Sequence, residues 1–178
     1  VQFLGQMLYA LWTDLAPADS NTYLEFGAPV QMSVAGTYLT GIFDEGAAEI
    51  VDHDPVTQRL FVVNGDAAAI DVLDASDPAN PVKLFDISIL PYGGGINSVA
   101  VKNGIVAAAV QADPKQNPGT VVFFDTNGTY LNQVAAGALP DMVIFTPDGN
   151  TVLAANEGEP NDAYTNDPEG SVTIIDIS

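Results

Sequence analysis

The chain has 178 residues, 47% of them hydrophobic and 15% charged. That is enough apolar length for a cored domain and excludes a chain disordered by composition. Four Lys and Arg stand against 23 Asp and Glu, a net charge of −19 that disfavours nucleic acid and anionic membrane surfaces and suits cations, basic partners or a salty exterior. The lack of cysteine excludes a disulfide framework, a thiolate zinc site and a cysteine nucleophile, and no apolar run reaches the length of a transmembrane segment.

Residues 1–22 differ from the rest. Phe3, Leu4, Met7, Leu8, Leu11, Trp12 and Leu15 recur at helical spacing, and Ala16-Pro17-Ala18-Asp19-Ser20 stops the pattern. They predict a short N-terminal amphipathic helix, an extension docked on a partner or on its own domain. From Tyr23 onward the pattern changes to short β runs. The predicted strands are Tyr23–Phe26, Val30–Val34, Ala48–Asp52, Leu60–Val63, Ala68–Leu73, Pro81–Ile87, Ser98–Val101, Ile105–Val110, Thr120–Asp125, Tyr130–Ala135, Met142–Phe145, Val152–Ala155 and Val172–Ile177. Turn signals separate them: Asp54-Pro55, Asn64-Gly65, Asn103-Gly104, Asn127-Gly128 and Pro147-Asp148-Gly149-Asn150. Nothing after residue 22 reads as a long helix.

These strands repeat as units. Segments beginning at Glu49, Asn97 and Asp141 each run through one polar residue, an apolar strand and a turn. A second apolar strand follows, then a third that ends in Asp, as at Asp74, Asp125 and Asp176. A unit of four antiparallel strands recurring every ~40–50 residues is the mark of a β-propeller blade, which must bury its faces against neighbouring blades. The expected fold is therefore all-β, a partial propeller over residues 23–178 of about three blades. Residues 23–45 are a candidate outer strand of a further blade. Since a ring needs about four to eight blades, the chain is expected to be a piece of a larger protein or to be completed by another chain.

The stretch Gly36-Thr37-Tyr38-Leu39-Thr40-Gly41-Ile42-Phe43-Asp44-Glu45-Gly46-Ala47-Ala48-Glu49-Ile50-Val51 resembles the opening of the choice-of-anchor I family, secreted or surface-attached propellers related to the mesenchyme-specific cell surface glycoprotein. Asn97-Ser98-Val99-Ala100-Val101, Gly137-Ala138-Leu139-Pro140-Asp141-Met142, Asn156-Glu157-Gly158-Glu159-Pro160 and Asp167-Pro168-Glu169-Gly170-Ser171 also resemble that family's motifs, in the same order. The resemblance implies an extracellular or cell-surface propeller and no particular catalytic activity. Some relatives carry alkaline phosphatase labels or are joined to nuclease or nucleotidase domains.

Two constellations could carry chemistry. Glu49, Asn97 and Asp141 occupy one repeat position, just before the innermost strand, and such positions ring one mouth of a propeller channel. There they could hold Ca²⁺, Mg²⁺ or a polar ligand, or instead satisfy backbone groups of tight turns. The second is the acidic tract 156–170, in which Glu157, Glu159, Asp162 and Asp167 are candidate Ca²⁺ ligands and no Lys or Arg is present. It lacks EF-hand spacing, and a solvated surface loop is the alternative. His53, the single histidine, reads as a turn residue, and Gly93-Gly94-Gly95 as a flexible lead into an inner strand. Asn127-Gly128-Thr129 fits both a hairpin turn and an N-glycosylation acceptor. The function expected is non-catalytic: adhesion, matrix or surface assembly, with a protein or matrix partner or self-association. A metal-dependent phosphoesterase at the channel mouth and a filament or surface-layer subunit are the alternatives.

Overall fold

The computed structural model describes residues 32–177. The expected N-terminal helix and the expected strand Tyr23–Phe26 lie outside the described residues. A compact unit begins at Ala35, and every regular element in it is a strand. Residues 32–50 form neither helix nor strand, so residues 32–45 do not supply the outer strand expected of them. Small and turn-forming residues (Gly36, Gly41, Gly46, Ala47, Ala48) break the apolar alternation that a strand there would need.

Eleven strands follow in three antiparallel sheets, each built in simple chain order. The first holds β1 (Val51–Asp54), β2 (Arg59–Asn64), β3 (Ala69–Asp74) and β4 (Val82–Ser88). The second holds β5 (Gly95–Lys102), β6 (Ile105–Gln111), β7 (Pro118–Asp125) and β8 (Tyr130–Ala138). The third holds β9 (Pro140–Phe145), β10 (Thr151–Asn156) and β11 (Ser171–Asp176). Short hairpins close some of the strand pairs and longer loops the others. Between β5 and β6, Asn103 and Gly104 both take positive φ, 53° and 81°, as a two-residue turn of the right twist demands.

The inner strands of the second sheet are buried on both faces, which explains why β6 and β7 read as unbroken apolar runs. Val99, Val101, Val106, Ala108, Val110, Val122 and Phe124 pack with Phe61, Val63, Ile70 and Val72 of the first sheet. The alternate residues, Ala100, Ala107, Ala109, Val121 and Phe123, pack with Val143, Phe145, Val152, Ala154 and Ile175 of the third. The innermost strands β1, β5 and β9 also touch one another in turn. Sheets stacked face to face with their first strands adjacent are propeller blades set about an axis.

Candidate functional site

Glu49, Asn97 and Asp141 occupy the same irregularity in their sheets. In the second sheet Ile96 pairs with Val110 and Ser98 with Ala109, so Asn97 is the extra residue of a bulge. In the third, Pro140 pairs with Asn156 and Met142 with Ala155, which leaves Asp141 as the extra residue. In the first, the Glu49 N–H donates to the Val63 carbonyl at 3.1 Å and the Val63 N–H to the Ile50 carbonyl at 2.8 Å, again two residues facing one. A bulge turns its side chain out of the regular alternation.

The three side chains then diverge in role. Asn97 Nδ2 donates to the Pro140 carbonyl of the next sheet at 2.9 Å and to Gln111 Oε1 at 3.2 Å. Asn97 thereby ties two blades together. Glu49 is exposed, and its carboxylate lies over the Gly46 and Gly65 backbone, where a Cβ on Gly46 would come within 2.5 Å of Oε1. Asp141 is exposed. Among the described residues no three Asp, Glu or His side chains converge closely enough to hold a metal ion, either at these positions or in the acidic loop.

The acidic loop is organised by its own amides. Asn156 Nδ2 joins the loop's two ends through Ser171 Oγ at 3.1 Å and Thr173 Oγ1 at 2.9 Å. Asn161 Oδ1 accepts the N–H groups of Thr165 at 2.9 Å and Asn166 at 3.2 Å, which folds the tip. The Glu157 N–H donates to the Leu139 carbonyl at 2.9 Å, docking the loop on the β8–β9 crossover. Most consequential is Lys115, from the β6–β7 loop of the neighbouring sheet. Its ammonium is ion-paired and hydrogen-bonded to Glu159, and Gln116 Nε2 donates to the Glu159 carbonyl at 3.3 Å. The bond to Glu159, with the charges of Glu159, Asp162 and Glu157 nearby, holds the Lys115 pKa above its ordinary value. A cleft of about 470 Å³ lies between the two loops, lined in part by Gly94, Gln111, Asp113, Lys115, Asn161 and Asp162.

Composition marked the acidic tract, but Lys115 escaped notice because it is more than forty residues away in sequence. The signal was in the repeat: the β6–β7 and β10–β11 loops are equivalent, and equivalent loops of successive blades are neighbours. Gly93-Gly94-Gly95 also differs from expectation. The Gly94 N–H donates to the Gln111 carbonyl at 2.8 Å, and a Cβ on Gly93 would strike Gln111 O and Val110. The run permits close packing rather than flexibility.

Comparison with solved structures agrees with the propeller class. Hydrazine synthase of Kuenenia stuttgartiensis aligns at a TM-score of 0.53 and 21% identity, over 73% of this chain and 34% of its own. A luciferin-regenerating enzyme aligns at a TM-score of 0.57 and 14% identity, over 73% of this chain and 45% of its own. The chain thus spans less than half the length of either, and at these identities the likeness is one of fold. A search of curated proteins finds no match. Residues 49–178 match the choice-of-anchor I domain, and the chain belongs to that family.

Proposed function

We propose that this chain is a non-catalytic propeller segment of a secreted or cell-surface protein, acting in adhesion or surface assembly through its acidic loops. Membership of a surface-associated propeller family supports the setting. The observation that carries the role is how the polar side chains are used. Asn97 bonds to the next blade, Lys115 to Glu159, and Arg59 Nη1 to the Thr126 carbonyl at 2.7 Å. Lys83 pairs with Asp71 and Asp86. These groups hold sheets and loops together. Exposed carboxylates remain, among them Glu157, Asp162 and Asp167 on one loop, and they suit a basic protein or a cation-bridged matrix.

The test is binding of the purified chain to polylysine-coated and polyglutamate-coated surfaces across a salt series. A Glu157→Gln/Asp162→Asn/Asp167→Asn variant is compared with an Asp44→Asn/Asp77→Asn/Asp86→Asn variant of equal charge. The proposal expects salt-sensitive binding to polylysine that the loop variant weakens more than its charge-matched control. Equal weakening in both would reduce the attraction to net charge and remove the loop from the account.

Calcium enters this reading only as a weak counter-ion attracted to Glu157, Glu159, Asp162 and Asp167, which do not converge on one point. Lys115 already supplies positive charge there, so Ca²⁺ must compete with an ammonium for Glu159.

A further inference from the structure

Asn64 and Asn156 hold the same place in their sheets. Each ends the second strand, and each directs its side-chain amide along the third. Asn64 pairs with Ala69, and its Nδ2 reaches both carboxylate oxygens of Asp71 at 3.4 Å. Asn156 pairs with Ser171, and its Nδ2 reaches Thr173 Oγ1 at 2.9 Å, again two residues further on. The two amides differ in what their oxygens meet. Asn64 Oδ1 accepts the Ala67 N–H at 3.0 Å, from the tight turn that follows. In the third sheet loop 157–170 replaces that turn. Asn156 Oδ1 accepts no hydrogen bond there, although the residue is only 3% exposed. Its Nδ2 also donates to the Ser171 carbonyl at 3.3 Å, which only a nitrogen can do, so the oxygen is the atom turned to the loop. A buried amide oxygen of this kind costs stability unless a donor or a cation meets it.

Other oxygens crowd the neck of the same loop. Gly158 is buried with φ at 68°, and a Cβ there would lie 2.6 Å from the Pro168 carbonyl oxygen and 2.7 Å from that of Glu169. On the returning arm, a Cβ on Gly170 would lie 3.1 Å from the Glu157 carbonyl oxygen and 3.5 Å from that of Asn156. Glu157 and Glu169 place a carboxylate on each arm. Lys115, the ammonium paired with this loop, is taken by Glu159.

We propose that the neck is a binding site for a hard divalent cation of the Ca²⁺ class, with Asn156 Oδ1 as its buried ligand. Neck carbonyls complete the ligand set, and Glu157 and Glu169 supply the charge. Amide and main-chain carbonyl oxygens are ordinary Ca²⁺ ligands, so no trio of converging carboxylates is needed. A hydrogen-bond donor would satisfy one of these oxygens, whereas a cation satisfies several together. Ca²⁺ also sits about 2.3–2.6 Å from its ligands, nearer than a hydrogen-bonded water, so burial that shuts out water leaves room for the ion. This site is distinct from the diffuse attraction of ions to the loop tip, and it does not depend on the adhesive role.

The test is calorimetric titration of the chelator-treated 178-residue chain with CaCl₂ at physiological salt. The proposal expects one saturable site, kept in Asp162→Asn/Asp167→Asn. Asn156→Asp, which adds a charged ligand at the same place, is expected to bind about tenfold tighter. Asn156→Ala is expected to lose the site, with circular dichroism in chelator reporting its fold; if that variant does not fold, the aspartate variant decides. Absence of saturable binding in the parent would overturn the proposal, as would an affinity unchanged in Asn156→Asp. Binding abolished by Asp162→Asn/Asp167→Asn with Asn156 intact would also overturn it, since the ion would then belong to the loop tip. None of these failures touches the polylysine result, which tests the adhesive role separately.

Discussion

Asp52, Ser98 and Asn97 send their side chains across a sheet boundary. Asp52 Oδ2 accepts the Val101 N–H at 2.7 Å, and Ser98 Oγ accepts the Val143 N–H at 3.2 Å. Each satisfies a main-chain donor on the first strand of the next sheet. Asp52→Ala strands the Val101 N–H and is expected to cost about 1–3 kcal/mol in urea unfolding, with Asp52→Asn recovering most of it. A loss below about 0.5 kcal/mol for the alanine variant would deny the bond its role.

Other carboxylates cap turns. Burial by itself would raise the Asp54 pKa, but bonds from the Thr57 hydroxyl at 2.6 Å and the Thr57 N–H at 3.0 Å, with one from Val56, hold it below the ordinary value. Asp125 is lowered first by the Thr129 N–H at 2.8 Å. A folded-state pKa below the unfolded value of about 3.9 gives stability that is full above that pH and lost as pH falls through the folded value. Urea midpoints are therefore expected to show no change due to Asp54 between about pH 7 and about pH 5, where its contribution is full, and a fall below about pH 4. In Asp54→Asn the acid slope is shallower. An unchanged slope would mean Asp54 is not the titrating cap.

At the scale of elements, strands were the most legible part of the chain. Apolar runs set off by turn residues and by the acidic tract located β2, β3, β6, β10 and β11 to within a residue or two, because packing in the two cores fills these strands with apolar residues. The ends were harder. β5 begins at Gly95 and β8 continues to Ala138, since glycine and alanine carry no strand signal of their own and sit there for close approach. Gly119 shows the same constraint: a Cβ would lie 2.5 Å from Pro140 Cδ and 2.7 Å from the Val110 carbonyl. Gly119→Ala is expected to lower stability by about 1–3 kcal/mol in urea titration, and a neutral result would mean the β7–β9 junction yields freely.

Loops were legible in charge but not in partnership. The acidic tract was plain, yet the cation that meets it comes from another blade. Lys115→Ala is expected to lower the melting temperature slightly without Ca²⁺ and to gain more from millimolar Ca²⁺ than the parent does. Calcium shifts of equal size in both proteins would show that Lys115 does not compete for the site.

At the scale of the molecule, three stacked sheets enclose two apolar cores, one at each junction, in a chain of net charge −19. The repeat of Glu49, Asn97 and Asp141 was visible as spacing, and the structure places each at a bulge. What spacing could not convey is that Asn97 turns to the Pro140 carbonyl, a bond that depends on how blades pack. The central proposal is that polar groups on the inner strands, Asn97 with Asp52 and Ser98, hold blades together rather than turn over a substrate. Its most direct test is hydrolysis of p-nitrophenyl phosphate by the intact chain with Ca²⁺, Mg²⁺ or EDTA, measured beside the melting temperature. The account predicts no hydrolysis above buffer and a metal-dependent shift of only a few degrees. Hydrolysis that requires a metal and is abolished by Asp141→Ala, with melting unchanged, would contradict it.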